Sequence, residues 1–294
     1  MQYKNSFGRK SFLLLDYILL IISAFICLLP FIHVLAISFS SSTAAMSGEV
    51  KLWPVDFTLK SYEFIADRPA FIRSFLVALE RVGLGLPISL LLTILTAYPL
   101  SKGKKDFRLR MIYVWFFMVS ILFGGGLIPW YITIKYTGLL DSIWALVIPC
   151  AVQVFYIILM LNFFRELPIE LDEAAYMDGA GHWRILWQIY VPLSKPALAT
   201  ITLFTAVNHW NSWFDGLILM NRPERYPLQS YMQTIIVGKD MARISEKDIA
   251  ILKLVNDRTS KAAQVFIGTI PILLVYPFLQ KYFTTGIVLG SVKG

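Results

Sequence analysis

Few residues in this chain have the chemistry of a catalyst or a metal site, and their spacing argues against both. Cys27 and Cys150 lie inside apolar runs without metal-ligand spacing, and His33, His182 and His209 are far apart. Neither a disulfide scaffold nor a zinc centre is expected. A membrane-embedded enzyme needs its catalytic groups at one depth, and these histidines fall on three separate segments. Two groups of residues remain. Trp210, Asn211, Trp213 and Asp215 combine aromatic faces with amide and carboxylate groups, a set that can grip a sugar, although tryptophans at a membrane boundary also act as anchors. Glu80 and Arg81 are ionisable residues within an apolar stretch, where charge is costly and is usually paired or placed in a wet cavity. Being adjacent, they point in different directions and cannot neutralise each other on one helix face. Arg81 and Arg73 can attract an anionic sugar acid; a salt bridge to a neighbouring helix or to a partner subunit is the competing and more ordinary reading.

The elements that position these groups follow from composition. Of 294 residues 57% are hydrophobic and only 16% are charged, whereas a soluble domain has about 25% charged residues. Disordered and nucleic-acid-coating proteins are excluded. The net charge of +8 forms no continuous basic stripe. A span needs about 20 apolar residues, and the sequence predicts six, at about 12–39, 71–100, 111–134, 142–164, 196–219 and 262–282, in a single membrane domain covering 1–294. The first competes with a secretory signal, since Lys4, Arg9 and Lys10 precede it. A cleavable apolar core is usually about 7–15 residues, so an uncleaved span fits its length better.

Orientation follows from the short loops. Lys102, Lys104, Lys105, Arg108 and Arg110 crowd the connection between spans 2 and 3, while only Lys135 lies between spans 3 and 4. The positive-inside rule places the basic loop, the Lys4–Arg9–Lys10 tail and both termini in the cytoplasm. Residues 40–70, the turn near Gly138 and the segment 220–261 then face outward. The basic residues of that last segment carry little weight, because long loops count weakly.

The connection from Arg165 to Lys195 is too apolar for a solvated loop. Leu167, Leu171, Ala174, Ala175, Met177 and Ala180 fall near helical spacing, and Glu170, Asp172, Glu173 and Asp178 cluster toward the helix start. Gly179 and Gly181 interrupt the pattern, which resumes through Trp183, Ile185, Leu186 and Ile189 to Pro192 and Pro196. A helix lying in lipid headgroups is usually basic on its polar face. This one is acidic, which favours a protein partner.

Glu173-Ala174-Ala175, then Gly179, then Ile189 and Pro192, resemble the EAA loop of ABC importer permeases, with Val191 where the family has leucine. Asp178-Gly179-Ala180 and Pro192 to Pro196 are similar to the carbohydrate-type, maltose-like branch. Ala97 to Ser101, Gly124 to Pro129 and His209 to Asp215 resemble a subgroup that accompanies uptake of complex oligosaccharides, including uronide-containing ones of the alginate or pectin kind.

This resemblance implies an all-α integral membrane protein of the type I ABC importer permease kind, with six transmembrane helices and a cytoplasmic coupling helix, in the bacterial cytoplasmic membrane. It implies that Glu173, Ala174, Ala175, Asp178, Gly179, Ala180, Ile189 and Pro192 form the ATPase-coupling loop. Within it, Glu173 makes a polar contact with the ATPase, Ala174 and Ala175 pack in its cleft, and Gly179 makes the bend. The chain has no G-x-x-x-x-G-K-[ST] sequence to cradle ATP phosphates, so ATP and magnesium are expected on a partner and no cofactor in this chain. The implied partners are a second homologous permease, two ATP-binding subunits, an extracellular solute-binding protein, the oligosaccharide and membrane lipid, with no nucleic acid. Arg81, Trp210, Asn211, Trp213 and Asp215 are candidates for the substrate path. Glu224, Arg225 and Tyr226, which open the 220–261 segment, are candidates for docking the binding protein. An ion-coupled secondary sugar transporter is the main alternative; it would show internal repeats and discontinuous spans. No clear repeat relates 1–140 to 141–294, although Pro87 and the Gly124–Gly126 run can interrupt helices.

Overall fold

The computed structural model describes residues 7–103, 106–237 and 257–289, and among these the regular structure is helical throughout. The described residues group into two compact units, one from 1–69 and 235–270, the other from 70–234 and 271–294.

In the first unit, α1 (Phe7–Ser38) presents an almost unbroken run of exposed apolar side chains from Phe12 to Ile32, which suits a lipid solvent. Its last turn is different. Ala36 and Ile37 pack with Ala44, Ala45, Val50 and Ala262. The chain then forms α2 (Ser42–Ser47), capped by Ser41 Oγ accepting from the Ala44 amide at 3.3 Å, and α3 (Lys60–Ala66). Tyr62 Oη meets Ser38 Oγ at 2.7 Å, and Phe39 lies against both Phe57 and Tyr62. Within the 40–70 stretch, expected to face outward, Ala44, Ala45, Val50, Ser61 and Ile65 are buried while most of the other residues are exposed.

The second unit is entered by α4 (Pro69–Ser101), a helix of 33 residues. The third expected span is two helices, α5 (Arg110–Leu122) and α6 (Leu127–Tyr136), meeting at 117°. The Gly124–Gly126 run explains the break, since each glycine costs a helix roughly 1 kcal/mol. Pro129 then falls in the first turn of α6, where no intrahelical donor is needed. The fourth is likewise split, into α7 (Ile143–Val147), continued by a tight turn to Cys150, and α8 (Val154–Glu166), bent by 46°. Next come α9 (Glu170–Met177), α10 (His182–Ile185), a widened π turn at Leu186–Tyr190 and α11 (Val191–Leu193). The fifth expected span divides into α12 (Lys195–Asn211) and α13 (Phe214–Leu219), because Ser212 adopts an extended backbone. In chain order the last elements are α14 (Leu228–Val237) and α15 (Asp257–Leu289), of which the residues from 235 to 270 belong to the first unit. Among the described residues, three helices are long and apolar enough to cross a membrane by length and composition alone, or five if each bent pair counts as one span.

One apolar core joins α4, α8, α9 and α12 through Ile94, Ala97, Met160, Phe164, Ala175 and Ile201. A close approach fixes α12 on α4, since a Cβ on Gly85 would lie 2.6 Å from the His209 ring. At the other end of these helices a second cluster, Ile134, Ala145, Leu146, Leu219 and Met220, joins α6, α7 and α13.

Candidate functional site

Helix α9 is built to show two faces. Residues 172 and 175 are three apart and share one face; Asp172 and Ala175 are both buried against the chain itself. Glu173, Ala174, Met177 and Asp178 are exposed, Met177 at 89%. Ala175, expected to pack against a partner together with Ala174, packs instead in this chain's own core at 8% exposure. The helix ends as its sequence predicts. Gly179 adopts φ +75°, and the Ala180 amide reaches back to the Ala175 carbonyl at 2.9 Å. No neighbour crowds Gly179, so the demand for glycine there is one of backbone conformation. Ile189 is half-buried in the π turn, Ala180 is half-buried beside it, and Pro192 is exposed.

The inner face of α9 holds a network that sequence reading missed. Lys102 Nζ donates to Asp172 Oδ2 at 2.5 Å and to Tyr190 Oη at 2.9 Å, while Tyr190 Oη donates to Asp172 Oδ2 at 2.8 Å. The ammonium also sits over the Tyr98 and Tyr190 rings, at 4.6 and 4.2 Å from their centroids. The sequence marks Lys102 only as an orienting charge and Asp172 only as an acid near the start of a helix. Burial, then the neighbouring Asp172 carboxylate, push the Tyr190 phenol well above its ordinary value, so it stays a proton donor. Other loop cations cap the end of α4: Arg110 donates to the Lys102 carbonyl at 2.7 Å and Arg165 to that of Leu100 at 3.3 Å. Lys104 and Lys105 lie outside the described residues.

Beyond the network, Trp183 is 67% exposed and Tyr176 Oη lies 3.1 Å from His182 Nδ1. The result is an acidic and apolar exposed face, Glu173, Ala174 and Met177 on an α9 tied down from behind, with Trp183 exposed on the neighbouring α10.

The residues considered for a substrate path separate into two groups. Arg81, 1% exposed, directs both terminal nitrogens at the Asp215 carboxylate, which also accepts from Ser212 Oγ at 2.9 Å and from the Gly216 amide at 2.9 Å. Arg81 is thus neutralised within the chain and is not presented to an anionic ligand. This corrects the path assignment of Arg81 and Asp215 in favour of the salt bridge. Trp210 is buried, edge-on to Phe75 with centroids 5.6 Å apart. Asn211 and Trp213, at the break between α12 and α13, are exposed.

Glu224 is exposed on the turn Pro223–Arg225, and Tyr226 packs beside Ile134, Leu146 and Leu219. Arg225 is held by Asp141, through the backbone carbonyl and through Oδ2 at 3.0 Å. Arg73, Glu80, Ser142, Glu224 and Arg225 rim a cleft of about 400 Å³. Within the segment expected to dock a binding protein, residues 238–256 lie outside the described residues.

Bent and broken apolar helices around a core, with a short acidic helix exposed at one end, define a multi-pass membrane protein. Residues 64–288 match the family described as "Binding-protein-dependent transport system inner membrane component", and the chain belongs to that family. It is 38% identical over 286 residues to the polygalacturonan/rhamnogalacturonan transport system permease protein YtcP of Bacillus subtilis, covering 97% of this chain and 99% of that one. It is also 38% identical over 269 residues to Protein LplC of the same organism, covering 92% and 90%. Among solved structures it is similar to a chain of a bacterial ABC transporter involved in the import of the acidic polysaccharide alginate, with TM-score 0.86, 34% identity and coverage of 95% and 98%. The chain is therefore an ABC importer permease and a transporter rather than an enzyme. Broken spans were one mark of an ion-coupled carrier, but membership in a binding-protein-dependent family leaves that alternative without support.

Proposed function

We propose that this permease pairs with a second, homologous permease to form the path for oligosaccharides rich in sugar acids, of the pectin- or alginate-derived kind. It takes its drive from two ATP-binding subunits that carry ATP and magnesium, and receives substrate from an extracellular binding protein. The basic 101–110 loop, α9 and both termini face the cytoplasm. The observation that carries the proposal is the two-faced α9, with Glu173, Ala174 and Met177 outward and Asp172 and Ala175 anchored inward. A handle of that kind has no use in a carrier that works alone. Substrate class is supported by the relatives, since one is named for polygalacturonan and rhamnogalacturonan and the solved transporter for the acidic polysaccharide alginate. Asn211 and Trp213 are the exposed residues proposed to meet the sugar. The test is uptake of labelled oligogalacturonides and alginate oligosaccharides into vesicles holding the assembled transporter. ATP-dependent accumulation of one of these acidic sugars, outcompeting neutral maltodextrin, is expected. Accumulation of the neutral sugar alone would overturn the substrate class, and accumulation without ATP would overturn the drive.

A further inference from the structure

We infer that Lys102 and Asp172, with Tyr190 as third member, are positioning residues that transmit load from the coupling helix to α4. This rests on the proposed ATPase contact of α9 and names the route by which force leaves it. Helix α9 is eight residues long and is flanked by Pro168 on one side and by Gly179 and Gly181 on the other, so a pull on its outer face would rotate it unless its inner face were fixed. Ala175 supplies a small apolar contact there. The deep attachment is Asp172, whose carboxylate oxygen is shared by the Lys102 ammonium and the Tyr190 phenol. These groups come from three segments: Lys102 just beyond the end of α4, Asp172 from α9, and Tyr190 from the π turn that leads into α11 and α12. Successive residues on a helix point about 100° apart, so adjacent Asp172 and Glu173 face different ways, the first buried in the chain and the second exposed toward the proposed partner. The two acids thus form a through-connection across a single short helix.

Net stabilisation is a poor account of the network. A buried ion pair is frequently matched or exceeded in stability by apolar side chains of similar volume, and its better-attested value is directional specificity. That contrast supplies the test. The assembled transporter, with its permease partner, ATPase subunits and binding protein, is reconstituted in vesicles, and ATP hydrolysis and sugar uptake are measured on the same sample. The double variant Lys102→Met with Asp172→Leu should assemble and hydrolyse ATP while uptake per ATP falls about tenfold, a change of the size usual for coupling between sites. Lys102→Arg should keep the parent ratio. An unchanged ratio in the apolar double variant would reduce the network to a packing contact and overturn the inference. If the double variant fails to assemble, Tyr190→Phe decides, because it removes one hydroxyl and keeps the ring: a lowered ratio supports the inference and a parental ratio overturns it. Failure of the parent protein itself to link uptake to ATP would instead refute the proposed function.

Discussion

Gly179 is the residue at which sequence and geometry agree most closely. Its φ of +75° is a conformation in which a side chain costs about 1–2 kcal/mol. Gly179→Ala should therefore loosen the end of α9 and lower uptake, whereas Gly179→Asn, a residue that tolerates this region, should be milder; transport in vesicles of matched protein content would rank them. Arg81 and Asp215 allow a second expectation. Removing one partner of a buried pair strands the other charge, at a cost of about 3–5 kcal/mol, so Arg81→Met should markedly lower the thermal stability of the detergent-solubilised protein. Arg81→Met combined with Asp215→Leu should recover most of it. Tyr190 adds a pH signature. Its folded-state phenol lies above the unfolded value of 10.0, so the hydrogen bond to Asp172 contributes below about pH 10 and is lost as pH rises toward the folded value. The stability difference between parent and Tyr190→Phe should persist through neutral pH and shrink only in strong alkali. Glu173 and Gly179 were legible because their meaning lies in local spacing. The Lys102–Asp172 and Arg81–Asp215 pairs join residues 70 and 134 positions apart, and nothing in one chain's sequence says which distant charges will meet.

Apolar length made the helices legible, but not where they break. The third expected span contains three consecutive glycines, which the sequence marks as able to interrupt a helix, but hydropathy records solvent preference and not backbone direction, so the 117° turn there is seen only in the structure. The fifth reads through Ser212 for the same reason, yet α12 stops at Asn211 and leaves Asn211 and Trp213 exposed at the gap. The π turn at Leu186–Tyr190 has no sequence signature beyond the nearby Pro192, although it is what brings Tyr190 to Lys102. Packing between elements carries its own test. Gly85→Ala would place a methyl group 2.6 Å from the His209 ring and should push α12 from α4, lowering the yield of folded permease in membranes. Adding His209→Ala should restore that yield, since it removes the obstructing ring.

For the molecule as a whole, the bent helices and the family assignment describe a path through a membrane, and the exposed face of α9 is where the proposed drive would be applied. Glu173 and Met177, four residues apart, share a face that points away from the chain. Its acid and its thioether suit a cleft with a basic rim and an apolar floor. Glu173→Lys should abolish ATP-driven uptake while leaving the permease correctly inserted, as judged by membrane yield and protease resistance. The most direct measurement places a cysteine on this face with Ala174→Cys and treats the working transporter with a short thiol cross-linker. The account predicts capture of an ATP-hydrolysing subunit and loss of uptake once the link forms. Uninterrupted ATP-driven uptake with no ATP-hydrolysing protein ever linked to that position would contradict it.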